Sequence, residues 1–171
     1  TASNPTILRV SAKNDKTISG IVLNMANFSS GLAVNEELRE KLLEFKKSGK
    51  KVIAYMRSVD FKDYYLATIA DYIIMHPVGE IQLQGIGGVH YFYKDLLDKI
   101  GVEAQFEKFG KYKSAVEPYT QNSASEAEKE QGNALISDFY DSVSKAIVDS
   151  RKINNEDLKL LINKKTIINS R

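Results

Sequence analysis

Apolar positions along the chain alternate between short runs with a period of two or none and longer stretches with helical spacing. Asn4 as a cap and Pro5 at the first helical position predict a short helix opening in "NPTILRVSAKND". "TISGIVLNM" is rich in β-branched residues and predicts a buried strand, followed by the turn-rich "ANFSSG". Val34, Leu38, Leu42 and Phe45 hold helical spacing, with Gly49 as the stop. "KKVIAYM" predicts a strand, "KDYYLATIAD" a helix, and "YIIMHP" a strand closed by Pro77, after which "EIQLQGIGG" alternates like a strand with one face covered. A helix over "YFYKDLLDKI" and a strand over "VEAQFEKFG" follow. Ser123 and Glu126 have capping-box spacing ahead of a long helix in which Leu135, Phe139, Val143 and Ile147 recur every four residues, and a short helix, "NEDLKLLIN", comes last. Strands alternating with helices predict an α/β fold built on a mainly parallel sheet with flanking helices.

Composition narrows the function classes. The 171 residues are 43% hydrophobic, suited to one compact domain of ordinary size. Lys and Arg number 24 against 22 Asp and Glu, and a net charge of +2 gives no electrostatic ground for a nucleic-acid partner. The chain has no cysteine, which excludes disulfides, thiol nucleophiles and thiolate zinc sites. No run approaches the roughly 18 apolar residues of a membrane-spanning helix, and "TASNPTILRV" lacks the charged and apolar blocks of a signal peptide. The chain itself is expected to be soluble.

Candidate chemistry concentrates in "GKYKSAVEPY", Gly110 to Tyr119. A phosphate-binding loop needs a glycine five residues before Gly-Lys and a Ser or Thr directly after the lysine. Here Gln105 and Tyr112 occupy those positions, so that reading fails. "GIGGVH" lacks the third glycine of a dinucleotide fingerprint, and its glycines are expected to permit close backbone approach or to form a peptide-contacting surface. His76 and His90 have no neighbouring ligand cluster and read as structural. Two aromatic groups, Tyr64 with Tyr65 and Tyr91 with Phe92 and Tyr93, read as core and interface packing ahead of a groove for an apolar ligand. For Lys113 two readings stand: a solvated loop lysine, or a general base. A lysine base must be neutral at working pH; bringing the pKa from about 10.4 to about 7 takes roughly 4.6 kcal/mol of desolvation or like-charge penalty. Ala115 and Val116, backed by Tyr112 and Tyr119, are the residues on hand to supply such burial.

"GKYKSAVEPY", with "YKDLLDKIGVEAQFEKF" before it and "SEAEKEQGNALISDFYDSVSKAIVDSRK" after it, resembles the N-terminal half of the long form of the signal peptide peptidase A (protease IV) family. "FKKSGKKVIAYM" and "YYLATIADYIIMHPVGEIQLQGIG" resemble the same family, so the likeness covers nearly the whole chain. It implies a ClpP/crotonase-like α/β fold and a Ser-Lys endopeptidase that degrades signal peptides left in the membrane after secretion. It further implies membrane association facing the periplasm or cell exterior in the full-length protein, assembly into a homo-oligomer, and no cofactor or metal. The family's catalytic lysine falls on Lys113, with the nucleophilic serine supplied by a C-terminal half.

The departures from that pattern concern the serine. Where the C-terminal half carries a Ser-Gly-Gly turn before a Tyr-aromatic pair, this chain has Phe61, Lys62 and Asp63, and Phe61 cannot be a nucleophile. The Gly-Gly expected after the first core strand is replaced around Ser30 and Gly31, so no oxyanion hole is assigned here. On this reading residues 1–153 form the N-terminal-half domain without its first strand, and 154–171 begin a linker or helix toward the second half. Alone, the chain is expected to have little or no peptidase activity. The rival readings are a non-catalytic ClpP/crotonase-like assembly module and, more weakly, an acyl-CoA enzyme of the crotonase type.

Overall fold

The computed structural model describes residues 12–26, 28, 30–164 and 167–169. The predicted helix start at Asn4 and Pro5 lies outside the described residues. Elements run β1 (Gly20–Asn24), α1 (Leu32–Lys46), β2 (Lys51–Asp60), α2 (Phe61–Ala67), β3 (Tyr72–Gln82), α3 (Lys94–Lys99), a 3₁₀ turn (Ser114–Val116), α4 (Glu117–Thr120), α5 (Glu126–Arg151), α6 (Asn155–Lys164) and β4 (Ile167–Asn169). The sheet order is β1-β2-β3-β4; β1 and β3 lie parallel to β2, and β4 runs antiparallel to β3. This is the α/β, mostly parallel architecture that the alternation predicts.

The chain divides into two compact units: one holds the residues up to Gly85 and those from Val143 onward, the other Ile86–Ser142. In the first, alternation along β2 sends Val52, Ala54 and Met56 to one face, where they are at most 1% exposed. Leu42 and Phe45 of α1, and Val143 and Ile147 of α5, are equally buried. The opposite face of the sheet is open at Val22, Tyr72 and Ile74.

The buried face of α1 differs from the apolar stripe read in the sequence. Asn35 and Arg39 are buried with Leu42 and Phe45, while Val34 is exposed. Arg39 is accommodated because its guanidinium donates four hydrogen bonds: to the Tyr65 carbonyl (2.6 Å), Thr68 Oγ1 (2.9 Å), the Ala146 carbonyl (3.3 Å) and Ser150 Oγ (2.6 Å); it also lies 4.8 Å from the centre of the Tyr65 ring. Asp71 closes the start of β3 by accepting from Val52 N–H at 2.8 Å and pairing with Lys46 at 3.3 Å; the Val52 hydrogen bond, foremost, holds its carboxyl below the ordinary range.

Three sequence expectations change. Pro77 does not end the third strand, because β3 accommodates it in a bulge: Met56 pairs Met75, the next paired residues are Ser58 and Glu80, and His76, Pro77, Val78 and Gly79 oppose Arg57 alone. At Gly79 a Cβ would stand 2.6 Å from the Arg57 carbonyl oxygen, so the bulge requires glycine. "VEAQFEKFG" forms no strand, since among the described residues no strand pairs with it. The long helix is capped by Ser125 rather than Ser123: Ser125 Oγ accepts from Glu128 N–H at 3.2 Å.

Candidate active-site loop

Lys113 sits on a loop whose shape is dictated locally. Gly110 has φ +100°, a conformation that a residue with a Cβ adopts only under strain, and its carbonyl accepts from Lys113 N–H at 3.4 Å. Lys113 then precedes the 3₁₀ turn Ser114–Val116, which runs directly into α4, with Pro118 in its first turn.

The three lysines of this region have different fates. Lys108 Nζ binds Glu117 Oε1 at 2.8 Å. Lys111 Nζ pairs with Glu130 at 3.1 Å and contacts Tyr112 Oη at 3.0 Å; these hydrogen bonds, Tyr112 first, raise its pKa. Among the described residues Lys113 Nζ makes no hydrogen bond or ion pair, and the side chain is exposed. Of the residues on hand to bury it, Ala115, Tyr112 and Tyr119 are themselves exposed and Val116 is half-buried.

Behind the exposed lysine lies a polar knot. Glu117 is fully buried. Oε1 accepts from Lys108 Nζ (2.8 Å) and Ser125 Oγ (2.8 Å), and Oε2 accepts from Ser125 N–H (3.0 Å). The Lys108 bond, then the Ser125 N–H, lower its pKa to about 2, with further help from the Ser125 hydroxyl and Glu128 against the cost of burial. In a capping box the third helical residue reaches back to the cap N–H; here Glu117 takes that N–H and Glu128 binds His90 Nδ1 at 2.8 Å instead. Tyr119 stacks with Tyr93 (5.9 Å between ring centres) and tilts against Phe106 (5.8 Å). An open cleft of about 440 Å³, lined in part by Leu97, Val102, Ala104 and Tyr119, lies alongside.

The remaining sequence candidates resolve as structure. Phe61 is 6% exposed in the core. The turn it opens is a capped helix start, in which Asp60 accepts from Asp63 N–H (2.9 Å) and Lys62 pairs with Asp60 (2.6 Å). That hydrogen bond, foremost, raises the Lys62 pKa. Ser30 donates its hydroxyl to Asn35 Oδ1, and the Asn35 amide donates to the Lys62 carbonyl at 3.0 Å and Asp63 Oδ1 at 3.2 Å. His76 accepts from Val78 N–H at 3.3 Å inside the bulge. Added Cβ atoms at Gly85, Gly87 and Gly88 would meet open space, so these glycines do not serve close backbone approach within the chain. Of the two aromatic groups, Tyr65 is core, whereas Tyr91 and Tyr93 are exposed. No group of three or more potential metal ligands occurs among the described residues. Sequence reasoning passed over Glu117, Lys108, Ser125 and Glu128; the one available signal was Ser125-x-x-Glu128, overlapped by the equally well-spaced Ser123-x-x-Glu126.

The model of peptidase family S49 matches residues 44–167, a span that includes this loop, and the chain belongs to that family. It is 34% identical over 148 residues to Protease 4 of Salmonella typhi, covering 86% of this chain and 24% of that protein. It is also 31% identical to the chloroplastic serine protease SPPA of Arabidopsis thaliana (90% of this chain, 23% of the relative) and 30% identical to Protease 4 of Haemophilus influenzae (85% and 24%). The chain thus spans about a quarter of the length of these curated relatives.

Proposed function

We propose that the chain is the lysine-bearing half of a serine endopeptidase that degrades signal peptides after their release, with a ClpP/crotonase-like fold and Lys113 as general base. The nucleophilic serine belongs to a C-terminal half outside these residues. The observation that carries the proposal is that Lys113, in the "GKYKSAVEP" segment of a family S49 chain, is the lysine of its loop left without a partner among the described residues, while Lys108 and Lys111 are both paired. A free amine presented on a fixed turn is what proton transfer with an incoming hydroxyl requires. Lys113 Nζ takes the serine proton as the oxygen attacks the scissile carbonyl and gives it to the leaving amine as the tetrahedral adduct collapses. Water then hydrolyses the acyl-enzyme. Because Lys113 is exposed in this chain, the desolvation that a neutral lysine needs must come from the second half or a neighbouring subunit.

The full-length protein works at the membrane as a homo-oligomer on this reading, although no helix among the described residues is long and apolar enough to cross a bilayer. The domain of the first half is read over residues 1–153, and α6 and β4, which follow it, belong to the same sheet unit. A non-catalytic assembly module is the second reading, favoured by the exposed aromatics Tyr91, Phe109 and Tyr112. The full-length protein carrying Lys113→Ala, assayed on an apolar signal peptide, decides between them. Loss of at least a hundredfold in kcat is expected for a general base, and near-normal turnover would leave the assembly reading.

A further inference from the structure

We infer that Glu117 is a positioning residue for the reaction, a buried anchor that fixes the Lys113 turn to the first turn of α5. The inference rests on the reading of Lys113 as general base. Glu117 lies four residues after Lys113, on the far side of a three-residue 3₁₀ turn, so little slack separates the anchor from the amine. Its three hydrogen-bond donors bind different parts of the chain to one carboxylate: Lys108 from the segment before the loop, and the hydroxyl and N–H of Ser125 from the helix start. The α3 end of the region is tied in by Tyr93 N–H donating to the Pro118 carbonyl at 2.6 Å. The charged and titratable groups around the carboxylate are Lys108 and Glu128, with His90 held on Glu128.

The placement is peculiar for an ordinary surface loop. Within Ile86–Ser142 only Glu117 and Glu128 are buried, so the region is organised around a carboxylate rather than an apolar cluster. A charged anchor has a geometric advantage here: two carboxylate oxygens accept from three directed donors and fix direction as well as distance, which apolar packing does not. The Glu117–Lys108 pair also holds opposite charges together near the base, and removing either partner leaves the other charge uncompensated.

That property supplies a test that separates positioning from mere stability. In the full-length protein, kcat, KM and the pH profile on an apolar signal peptide are measured for Glu117→Gln, Lys108→Met, Ser125→Ala and Lys113→Ala, with competent sites counted by covalent titration of the serine. Glu117→Gln is expected to lower kcat per competent site at least tenfold with KM within about twofold, and Ser125→Ala to lower it several-fold. Glu117→Gln leaves a lone ammonium and moves the acidic limb of kcat/KM to lower pH; Lys108→Met leaves a lone carboxylate and moves it to higher pH. If Glu117→Gln does not fold, Ser125→Ala and Lys108→Met decide alone. Normal kcat in the folded variants, or limbs displaced in the same direction, overturns the inference while an inactive Lys113→Ala keeps the dyad. An active Lys113→Ala removes the dyad itself and the anchor's role with it.

Discussion

The sheet unit and the Ile86–Ser142 region solve the same problem by opposite means. Every fully buried apolar side chain among the described residues belongs to the sheet unit, Phe45, Val52, Ala54, Met56 and Ile147 among them. In Ile86–Ser142 the two buried side chains are both carboxylates, and apolar residues such as Val89, Ile100 and Phe109 face outward. Apolar burial is non-directional and supplies bulk stability; a carboxylate with three donors supplies orientation. The lysine proposed for catalysis stands in the region built for orientation.

The largest effect that sharpens this contrast comes from the sheet unit. Phe45→Ala removes a ring that is 1% exposed and is expected to cost about 3–5 kcal/mol in urea denaturation of the chain; a cost under 1 kcal/mol would mean that the apolar core is not what holds the unit. Next comes Gly79→Ala, whose Cβ would press on the Arg57 carbonyl and Met75 Cγ; a loss of about 1–3 kcal/mol is expected.

Acid reaches the other region selectively. The Glu117 carboxyl titrates at about 2 when folded against an ordinary 4.5, so the stability it contributes is complete above the unfolded value and drains away as pH falls from about 4.5 toward 2. The protection of the Ser125 amide, its exchange rate relative to the intrinsic rate at each pH, should therefore fall over that window in the wild type, and Glu117→Gln should show low protection with no matching step; wild-type protection constant through the window would contradict the anchor. The smallest effect belongs to Phe109→Ser: with 80% of its surface exposed, the change should alter the stability of the chain by no more than about 0.5 kcal/mol. A cost above 1 kcal/mol would reveal apolar packing where the structure shows none.

Much of the sheet unit was legible because its elements obey one period each. "TISGIVLNM" and "KKVIAYM" became neighbouring parallel strands, although β1 lies at the sheet edge with none of its residues buried, against the buried strand that its sequence predicts, and Leu42 and Phe45 face the core as their spacing demands. Asn35 and Arg39 were not legible as buried, since Asn35 finds its acceptors on Lys62 and Asp63, and Arg39 one of its own on Ser150, over a hundred residues away. Pro77 misled for a related reason: local rules end a strand there, and only the pairing with β2 shows a bulge that carries the strand past it. "VEAQFEKFG" has a strand's composition, but a strand exists only through a partner.

The sequence by itself determined the α/β alternation, the absence of thiol chemistry, and the "GKYKSAVEPY" segment with Lys113 as its candidate, because these depend on residue type and near-neighbour spacing. The tertiary structure alone decided which of three nearby lysines stays unpaired among the described residues and which carboxylate beside them is buried. Lys108, Lys111 and Lys113 are the same residue within six positions. What separates them is the placement of Glu117 and Glu130, a matter of through-space distance that no local pattern encodes.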